Sequence, residues 1–506
     1  EGISDELKYA LVAGAVAGSG LLAACGSAGK IAGMPDKWDK EADVVIIGAG
    51  GAGIVAAIEA RNGGASVVIL EKAAVEGGTT ALSGAIIQAA GTEAQRASGV
   101  EGDTPDRHYQ YYILAAEGQA DPELVKLLTE NAPKNIEWLI EQGLEYHSLT
   151  GVSPIPYVPA DLMVNRIHTP GPAGAQAVVG NGGPNHIVPL TKVAKDKGAE
   201  FLYESPASAL VRDPEKGIVG VKAESAGEEL YVKANKAVIL ATSSFDHNTE
   251  MARAFSLQQL WAIETGLVAT APTNTGDGIK MAMEVGAELA GMGGTIGYPM
   301  PAVGEAVAGI WVNQYGQRFV NEAGHYAFKS RAVFNQVQHL AWGIFDDKVK
   351  QAGAAANLGY SADLAAEISS GAVTTADTLA GLAEALGINA TQLEATVAKW
   401  NEDVAAGADS LYSNTAGIAL GTIDTGPFYA AKIYEWNLGS HGGVKVNTST
   451  QVIDVHGNVI PRLYAAGMVA GGFVGPYYPG SGTAVAITVC SGRIAGQKAA
   501  AEEALS

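Results

Sequence analysis

The stretch DVVIIGAGGAGIVAAIEARNGGASVVILE at residues 43–71 decides the fold of this 506-residue chain. Its first apolar run, residues 44–47, is rich in β-branched side chains, which predicts a buried strand. Residues 54–60 then continue as a helix, and residues 67–70 form a second β-branched run. A strand, a glycine-rich turn, a helix and a second strand predict the first unit of a Rossmann-like α/β domain.

The turn in this stretch has the spacing GxGxxG. Gly48 permits the tight turn, Gly50 lets the backbone approach a diphosphate, and Gly53 lets helix and strand pack closely. The diphosphate is expected at the helix N-terminus, where backbone N–H groups favour negative charge. Glu71 follows Gly48 by 23 positions, where a carboxylate is needed to bind a ribose hydroxyl. The turn therefore predicts a dinucleotide site.

Length and composition limit the classes of protein that fit. A chain of 506 residues exceeds the size at which one core keeps growing, which predicts two or three domains. Apolar residues make up 47% of the chain and charged residues 17%, without an apolar run as long as a membrane span. The formal net charge of −21 repels nucleic acid and anionic lipid. A globular protein that does not bind nucleic acid is therefore expected.

Cysteine usage restricts the redox chemistry. Cys25 and Cys490 are the two cysteines, so the sequence has no disulfide framework, no haem-attachment motif and no iron–sulfur spacing. No metal site is expected. Any redox chemistry must come from a group that is bound without a covalent link.

The N-terminal segment allows two interpretations. Residues 10–24 form a short Ala/Gly/Leu run with the length of a signal-peptide core, and residues 22–25, LAAC, resemble the lipobox of bacterial lipoproteins. This interpretation predicts export to the cell envelope and a lipid anchor at Cys25. Lys8 is the one positive charge before the run, and three acidic residues oppose it, so a packed helix in a cytoplasmic protein is the alternative. Residues 27–40 are expected to be a linker.

Three further segments resemble the flavin-contacting segments of FAD enzymes. The first is GGTTALSG at residues 77–84. The second is ATSSF at residues 241–245, with two serines where the ATGGF segment of one flavoprotein superfamily has glycines. The third is RLYAAGMVAGG at residues 462–472, in which Met468 stands where a glutamate usually contacts the flavin. FAD is therefore the expected cofactor.

Together with NTGDGIKMAMEVGA at residues 274–287 and GQRFVNE at residues 316–322, these motifs lie in the order of one family. Over residues 41–499 the chain resembles the flavoprotein family of soluble fumarate reductases, urocanate reductases and 3-ketosteroid dehydrogenases. The resemblance implies an α/β fold in which a Rossmann-like FAD-binding domain of the GR2 type is interrupted by a mobile α+β capping domain. Substrate is then held between the cap and the isoalloxazine ring.

The domain limits are expected as follows. Residues 1–40 hold the signal-like segment and the linker, residues 41–290 and 440–506 form the two parts of the FAD-binding domain, and residues 291–439 form the cap. Within the cap, the spacing of Leu, Ala and Val over residues 373–401 predicts amphipathic helices.

The resemblance also implies which residues contact FAD. They lie in the GxGxxG turn, after the second strand, in the three flavin-contacting segments, in the NTGDG motif and at the start of the last helix. The expected contacts are Gly48, Gly50, Gly51, Ala52, Gly53, Glu71, Lys72, Gly77, Gly78, Thr79, Thr80, Ser83, Gly84, Ala241, Thr242, Asn274, Asp277, Gly467, Met468, Ser481, Gly482, Thr483 and Ala484.

Three tyrosines replace the ionic groups with which fumarate reductases of this family hold a dicarboxylate. Counting along the family's motifs puts Tyr326 at the acid-catalyst arginine, Tyr478 at a second arginine and Tyr298 at a substrate-binding histidine. Tyr477 exchanges roles with Tyr478 if the count differs by one. A guanidinium suits a carboxylate, whereas a phenol is an amphipathic ring with one O–H. The resemblance thus implies a pocket for a small neutral carbonyl compound, with a steroid-like compound as one candidate.

The expected reaction is hydride exchange between flavin N5 and the carbon β to a ketone, with proton exchange at the α carbon. Tyr326 is the expected proton donor or acceptor, while Tyr478 holds the carbonyl or relays the proton. A free phenol is a weak base at neutral pH, so a neighbouring phenol or a helix dipole would have to lower its pKa. A ketosteroid dehydrogenase and an enone reductase both fit, and the direction stays open.

Two other functions stay open at this point. One is a reductase of small unsaturated acids such as fumarate, urocanate or aryl acrylates. The other is a surface-anchored flavoprotein that only transfers electrons. The sequence has one GxGxxG and no second nucleotide-binding unit, so a separate electron donor or acceptor is expected in each case.

Overall fold

The computed structural model of the protein describes residues 33–175, 180–302, 309–355 and 363–505. The signal-like segment and the expected lipid anchor at Cys25 lie outside the described residues. Within the described ranges, no helix is long and apolar enough to cross a membrane.

The described residues form strands that assemble into three sheets. The strands are β1 (Lys40–Ile47), β2 (Val67–Leu70), β3 (Ile87–Gln88), β4 (Tyr146–Thr150), β5 (Ile167–Pro170), β6 (Glu200–Leu202), β7 (Ala207–Asp213), β8 (Gly217–Ser225), β9 (Glu228–Leu240), β10 (Leu289–Pro301), β11 (Ile310–Asn313), β12 (Ala341–Asp346), β13 (Val373–Ala376), β14 (Phe428–Lys445), β15 (Gln451–Ile453), β16 (Val459–Ala465) and β17 (Ala470–Gly471).

Helices lie between groups of these strands along the chain. They are α1 (Gly51–Asn62), α2 (Gly78–Leu82), α3 (Glu93–Ala97), α4 (Pro105–Ala115), α5 (Pro122–Glu141), α6 (Pro184–Asp196), α7 (Thr249–Phe255), α8 (Leu257–Thr265), α9 (Asp277–Glu284), α10 (Tyr326–Phe334), α11 (Asp347–Ala355), α12 (Ala365–Ser369), α13 (Leu379–Leu386), α14 (Ala390–Ala406), α15 (Thr415–Ile418) and α16 (Thr483–Ala501). Short 3-10 turns occur at Ala160–Leu162, Val337–His339 and Gly467–Val469.

The largest sheet is the Rossmann-like one. β1 lies at its centre and pairs in parallel with β2 on one side and with β9 on the other. β6 then follows β2, and β16 follows β9, again in parallel. The predicted strand at residues 44–47 forms the buried end of β1, and the one at residues 67–70 coincides with β2. The expected Rossmann-like α/β fold class is therefore confirmed.

Helix α1, near the start of the described residues, packs closely against α16, near their end. A Cβ at Gly496 would lie 2.3 Å from the carbonyl oxygen of Ala56, and one at Gly492 would lie 2.8 Å from that of Ala52. Only glycine permits this approach, because a side chain would collide with the backbone of the other helix. The first turn of α1 and the loop that leads into α16 consequently line the same cavity.

The second sheet is built on two long strands, β10 and β14, which pair antiparallel. β12 and β13 pair with the first part of β14, and β17 pairs with its end. The expected domain limits at residues 290 and 439 fall inside β10 and β14, so both strands continue across them. The limits themselves stay predictions.

The structure corrects one expectation in the cap. Residues 373–376, which were expected to open a helical segment, form strand β13, and α13 and α14 follow it. Val373 and the two threonines after it are β-branched, and they pair with residues 429–431 of β14. Pairing with a long neighbouring strand outweighs the helical spacing of this short run.

Candidate active site

A cavity of about 730 Å³ lies where the Rossmann-like sheet, the strands β10 and β14 and the N-termini of α1 and α16 meet. Most of the residues expected to contact FAD line it. These are Gly48, Gly50, Gly51, Ala52, Glu71, Lys72, Gly78, Thr79, Thr80, Ser83, Gly84, Ala241, Thr242, Asn274, Asp277, Gly467, Met468, Ser481, Gly482 and Ala484. Tyr298, Tyr326 and Tyr478 line it as well.

The glycine-rich turn shapes one end of this cavity. Gly48 has a φ of +104°, and a Cβ there would lie 2.4 Å from the carbonyl oxygen of Ala241. A Cβ at Gly53 would lie 2.0 Å from the carbonyl oxygen of Gly48. At Gly50, by contrast, a Cβ would meet nothing closer than 4.0 Å, so this glycine faces open space. The first N–H groups of α1 have no side-chain cap and are available to an anion.

Polar side chains close the adjoining wall. Glu71 accepts hydrogen bonds from the backbone N–H groups of Ala49 and Ala73, each at 2.7 Å, so its carboxylate also supports the turn. Lys72 lies 2.9 Å from Asp277. These contacts hold Glu71 and Lys72 at the rim of the cavity.

Sequence reasoning missed a buried polar cluster on this wall. Asp246 is 2% exposed and lines the cavity. It accepts hydrogen bonds from the backbone N–H and the hydroxyl of Ser440, each at 2.7 Å, and from Asn274 Nδ2 at 2.8 Å. Asn274 also donates to Thr79 Oγ1 at 2.8 Å. Asp246 follows the ATSSF segment directly, which was the available signal, but its partner Ser440 lies 194 positions away.

The three phenols lie together at the other end of the cavity. The ring of Tyr326 lies 5.0 Å from that of Tyr298 and 6.4 Å from that of Tyr478, centroid to centroid. Tyr326 Oη accepts a hydrogen bond from Ser481 Oγ at 3.2 Å, and Tyr478 Oη accepts one from the backbone N–H of Ala484 at 2.7 Å. Because each oxygen is an acceptor in these bonds, its own O–H can be donated to a ligand.

Burial favours the neutral form of Tyr326 and Tyr478. It raises the pKa of Tyr326 well above its usual value, the proximity of Tyr478 adds to this, and the hydrogen bond from Ser481 only partly opposes it. Burial likewise raises the pKa of Tyr478, although the Ala484 N–H acts in the opposite direction. The net shift of both pKa values is therefore upward: the Ala484 N–H at the start of α16 acts to lower the pKa of Tyr478, but burial outweighs it. Neutral phenols are proton donors.

Four of the expected site residues do not line the cavity. The ring of Tyr477 packs under the guanidinium of Arg331, 4.4 Å from its centroid, so the structure brings Tyr478 rather than Tyr477 to the cavity. Gly53 and Gly77 lie behind the turn, where Gly77 N–H donates to the Ala49 carbonyl oxygen at 2.8 Å. Thr483 is 1% exposed and its N–H donates to the Gly480 carbonyl oxygen at 3.2 Å.

Cations near the phenols have other partners. Among the described residues that line the cavity, Lys72 carries the positive charge, and it lies beside Asp277. Arg318 of the GQRFVNE motif is buried in ion pairs with Glu322 and Asp409, at 2.7 and 3.0 Å. His325 contacts the Tyr326 ring, but burial lowers its pKa to about 3, so it is uncharged. No ionic clamp for a carboxylate is present in the described part of the lining.

Two strands supply an apolar wall that sequence reasoning also missed. Residues 296, 298 and 300 of β10 and residues 436 and 438 of β14 line the cavity, and Tyr298 lies opposite Trp436. The sequence signal that could have indicated this wall is the two-residue period of a strand, which places every second side chain of β10 and β14 on the same face. Ile296 is 6% exposed, whereas Met300 and Trp436 are 37% and 42% exposed. The wall therefore extends from the buried Ile296, beside the phenols, to the mouth of the cavity.

Comparison with known proteins identifies the family. The family model described as FAD binding domain matches residues 43–485. This chain belongs to that family. The flavoprotein is 29% identical to digoxin reductase from Eggerthella lenta, over 99% of this chain and 97% of the relative. It is 32% identical to urocanate reductase from the same organism, over 92% of this chain and 76% of the relative.

A solved structure matches over nearly the whole flavoprotein. It is 3-ketosteroid-delta4-(5alpha)-dehydrogenase from Rhodococcus jostii RHA1 in complex with 4-androstene-3,17-dione, with a TM-score of 0.82 at 28% identity, over 93% of this chain and 99% of that chain. The relatives thus include reductases of unsaturated compounds and ketosteroid dehydrogenases, and the expected family is confirmed. The chain is an FAD-dependent oxidoreductase that acts on C–C or C=C bonds.

The described residues fit FAD. Gly50 leaves open space beside the uncapped start of α1, and the buried Thr242 Oγ1, on the cavity wall, has no hydrogen-bond partner among the described residues. The turn at residues 48–52 would hold the diphosphate, and residues 467, 468, 481, 482 and 484 would also contact the cofactor. When bound, FAD supplies the acceptance or donation of a hydride.

Gly50→Ala tests the assignment of the turn. A Cβ at this position enters open space at a φ of −75°, so the apoprotein is expected to keep its stability within about 0.5 kcal/mol. Because the Cβ occupies the room of the diphosphate, the Kd for FAD is expected to rise about tenfold or more, measured by fluorescence titration. Gly53→Ala is the control, since its Cβ meets backbone and should destabilise the apoprotein itself. Unchanged FAD affinity in Gly50→Ala would contradict the assignment.

Proposed function

We propose that this flavoprotein transfers a hydride between FAD and the carbon β to the carbonyl of a neutral ketone, as an enone reductase or a ketosteroid dehydrogenase. The observation that carries the proposal is the group of three phenols in a lining whose described residues offer no free cation. A ketone needs O–H donors at its oxygen and a proton donor at its α carbon, and neutral phenols supply both.

The proposed roles follow from the hydrogen bonds. Tyr478 accepts the Ala484 N–H at the start of α16 and donates its own O–H to the substrate carbonyl. Tyr326 accepts the Ser481 hydroxyl and gives its proton to the α carbon as the β carbon receives the hydride. In the opposite direction the α proton returns to Tyr326. The ring of Tyr298 packs against Tyr326 and fixes its orientation.

The protonation state of the phenols favours reduction. Burial keeps Tyr326 protonated at neutral pH, so the proton that reduction of a C=C bond consumes is already in place. Dehydrogenation would need the rarely populated tyrosinate as a base. We therefore place reduction of an α,β-unsaturated ketone first, with electrons from a separate donor.

The alternative, a reductase of small unsaturated acids, receives support from the urocanate reductase relative. The substrate of such a reductase would place a carboxylate in the cavity. The described acidic groups of the lining include Glu71, Asp246 and Asp277. A carboxylate that is buried without a cation loses its hydration at a cost of several kcal/mol. The lining therefore favours the ketone.

The direct test offers substrates to the reduced enzyme. FAD in the purified protein is reduced under anaerobic conditions, and its reoxidation is followed by absorbance on adding cyclohexenone, a steroid enone, fumarate or urocanate. We expect an enone to restore the oxidised spectrum and the two acids to leave it unchanged. Reoxidation by fumarate or urocanate but by no enone would establish the alternative, and reoxidation by none of them would leave electron transfer as the function.

Removal of one hydroxyl tests the proton donor. Tyr326→Phe keeps the ring but not the O–H, so kcat is expected to fall about 10²- to 10⁴-fold while KM and FAD content stay near the wild-type values. Tyr477→Phe is the matched control, because the same change is made one position from Tyr478 but outside the cavity. A Tyr326→Phe enzyme with wild-type kcat would exclude Tyr326 as the donor.

The apolar wall predicts a preference for large substrates. Trp436→Ala removes exposed apolar surface at the mouth, so KM for a steroid enone is expected to rise about tenfold, equivalent to about 1.4 kcal/mol of lost contact. KM for cyclohexenone, which is too short to reach the mouth, should stay unchanged. Tyr315→Ala serves as the control, because this tyrosine is 52% exposed and lies outside the lining. Equal effects on both ketones would contradict the role of Trp436.

A further inference from the structure

A buried carboxyl group lies behind the apolar wall, on the face of β10 and β14 turned away from the cavity. Glu435 precedes Trp436 in β14 and lies opposite Pro299 of β10. Because side chains alternate between the faces of a strand, Glu435 points away from the cavity that Trp436 lines. It is 2% exposed. None of the chemistry proposed above uses this group.

Glu435 connects two helices. Its Oε1 accepts hydrogen bonds from Ser330 Oγ of α10 and from Gln258 Nε2 of α8, the latter at 3.3 Å. Gln258 also donates to Ser330 Oγ at 2.6 Å, so side chains from three elements form a closed triangle. Glu435 Oε2 is buried and has no partner among the described residues. An ionised carboxylate would leave charge on that oxygen uncompensated, which a protonated carboxyl group avoids.

The triangle lies directly behind the phenols. Gly297 precedes Tyr298, and a Cβ there would lie 1.8 Å from Ser330 Oγ and 2.1 Å from Glu435 Oε1. Glycine thus allows the two side chains to close onto the backbone of β10. Ser330 follows Tyr326 by four positions, which places both on one side of α10. The contact therefore joins α10 to β10 where the rings of Tyr326 and Tyr298 meet.

We propose that Glu435 is a positioning residue, which anchors α10 to β10 and β14 and so holds Tyr326 in place beside Tyr298. The proposal rests on the proposed function only in taking Tyr326 as the proton donor. The anchoring itself is a property of the fold and can be measured without a substrate.

The surroundings favour the uncharged form. Burial raises the pKa of Glu435 to about 8, and the hydrogen bonds from Ser330 and Gln258 only partly oppose this. The other charged or titratable side chains of the packed elements are turned elsewhere. Lys329 donates to the Glu322 carbonyl oxygen, Arg331 lies over the Tyr477 ring, Lys432 lies over the Tyr434 ring, Lys445 pairs with Glu288, Tyr429 stacks on Phe345, Glu264 is exposed, and Tyr298 and Tyr326 line the cavity. His441 of β14 is uncharged, because burial lowers its pKa to about 4.

This protonation couples stability to pH. The pKa of the carboxyl group is about 8 in the folded chain and near 4.5 in the unfolded chain, so the folded state binds more protons between these values. Stability from this group therefore falls as pH rises from about 4.5 to about 8. Glu435→Gln can accept the same two hydrogen bonds and does not titrate. The stability of this variant is therefore not expected to show the fall between about pH 4.5 and about pH 8 that comes from Glu435.

The experiment compares FAD-loaded wild type, Glu435→Gln and Glu435→Ala by amide hydrogen exchange of α10 and by steady-state kinetics with an enone. In Glu435→Ala, α10 is expected to exchange about tenfold faster, and kcat to fall about tenfold or more with KM and FAD content unchanged. Glu435→Gln should match the wild type at pH 7 and keep its kcat at pH 9, where the wild type loses activity. Glu264→Gln on α8, an exposed carboxylate, is the control and should keep the wild-type pH profile.

Three outcomes would overturn the proposal. They are unchanged exchange of α10 in Glu435→Ala, a Glu435→Gln variant as impaired as Glu435→Ala, and a pH profile that is the same in Glu435→Gln as in the wild type. If Glu435→Ala does not fold, exchange of α10 at pH 7 and pH 9 in the wild type and Glu435→Gln decides. If no enone is turned over, the proposed function fails, while the exchange data still decide the anchoring separately.

Discussion

Close approach of backbone to backbone at the glycine-rich turn is the constraint on which the rest of the structure depends. Gly48 fits only because no Cβ collides with the carbonyl oxygen of Ala241, and Gly53 fits only because none collides with Gly48. These contacts seat α1 against the edge where β1 and β9 end, while α16 packs on α1 through glycines of its own. Both helix N-termini then reach one cavity, and the motifs from the two ends of the chain meet there.

Local pattern predicted the part of the fold that is built from consecutive residues. The strand at residues 67–70 is apolar throughout because both of its faces are buried. The glycine spacing reflects steric limits at the turn. Both effects act within a few residues. β13 was assigned wrongly because its pairing with β14 joins segments more than fifty positions apart. The cluster of Asp246 and Ser440 was missed for the same reason. Contacts between residues so far apart in the sequence depend on where whole strands lie. The spacing of residues within one segment does not determine this.

The phenols show both the strength and the limit of reasoning from motifs. Tyr326, Tyr478 and Tyr298 were expected at the site, and all three line the cavity, while Tyr477 packs against Arg331. Their protonation could not be predicted, because a pKa depends on burial by residues from several elements. The sequence suggested a helix dipole that lowers the pKa of a phenol, whereas the dominant effect in the structure is loss of hydration, which raises it.

The proposed exchange of guanidinium for phenol would change what the cavity can bind, beyond the loss of a hydrogen bond. A buried arginine repays the desolvation of a carboxylate through a direct ion pair, and a carboxylate that enters without it leaves hydration behind uncompensated. A ketone carries no net charge, so an O–H donor such as Tyr478 can replace the water at its oxygen. The sheet behind the phenols extends the same logic. Its cavity face is apolar as far as Trp436, and the carboxyl group of Glu435 lies on the opposite face, where it does not add charge to the cavity. The two faces of β10 and β14 thus separate a neutral binding surface from the polar contacts that hold it in shape.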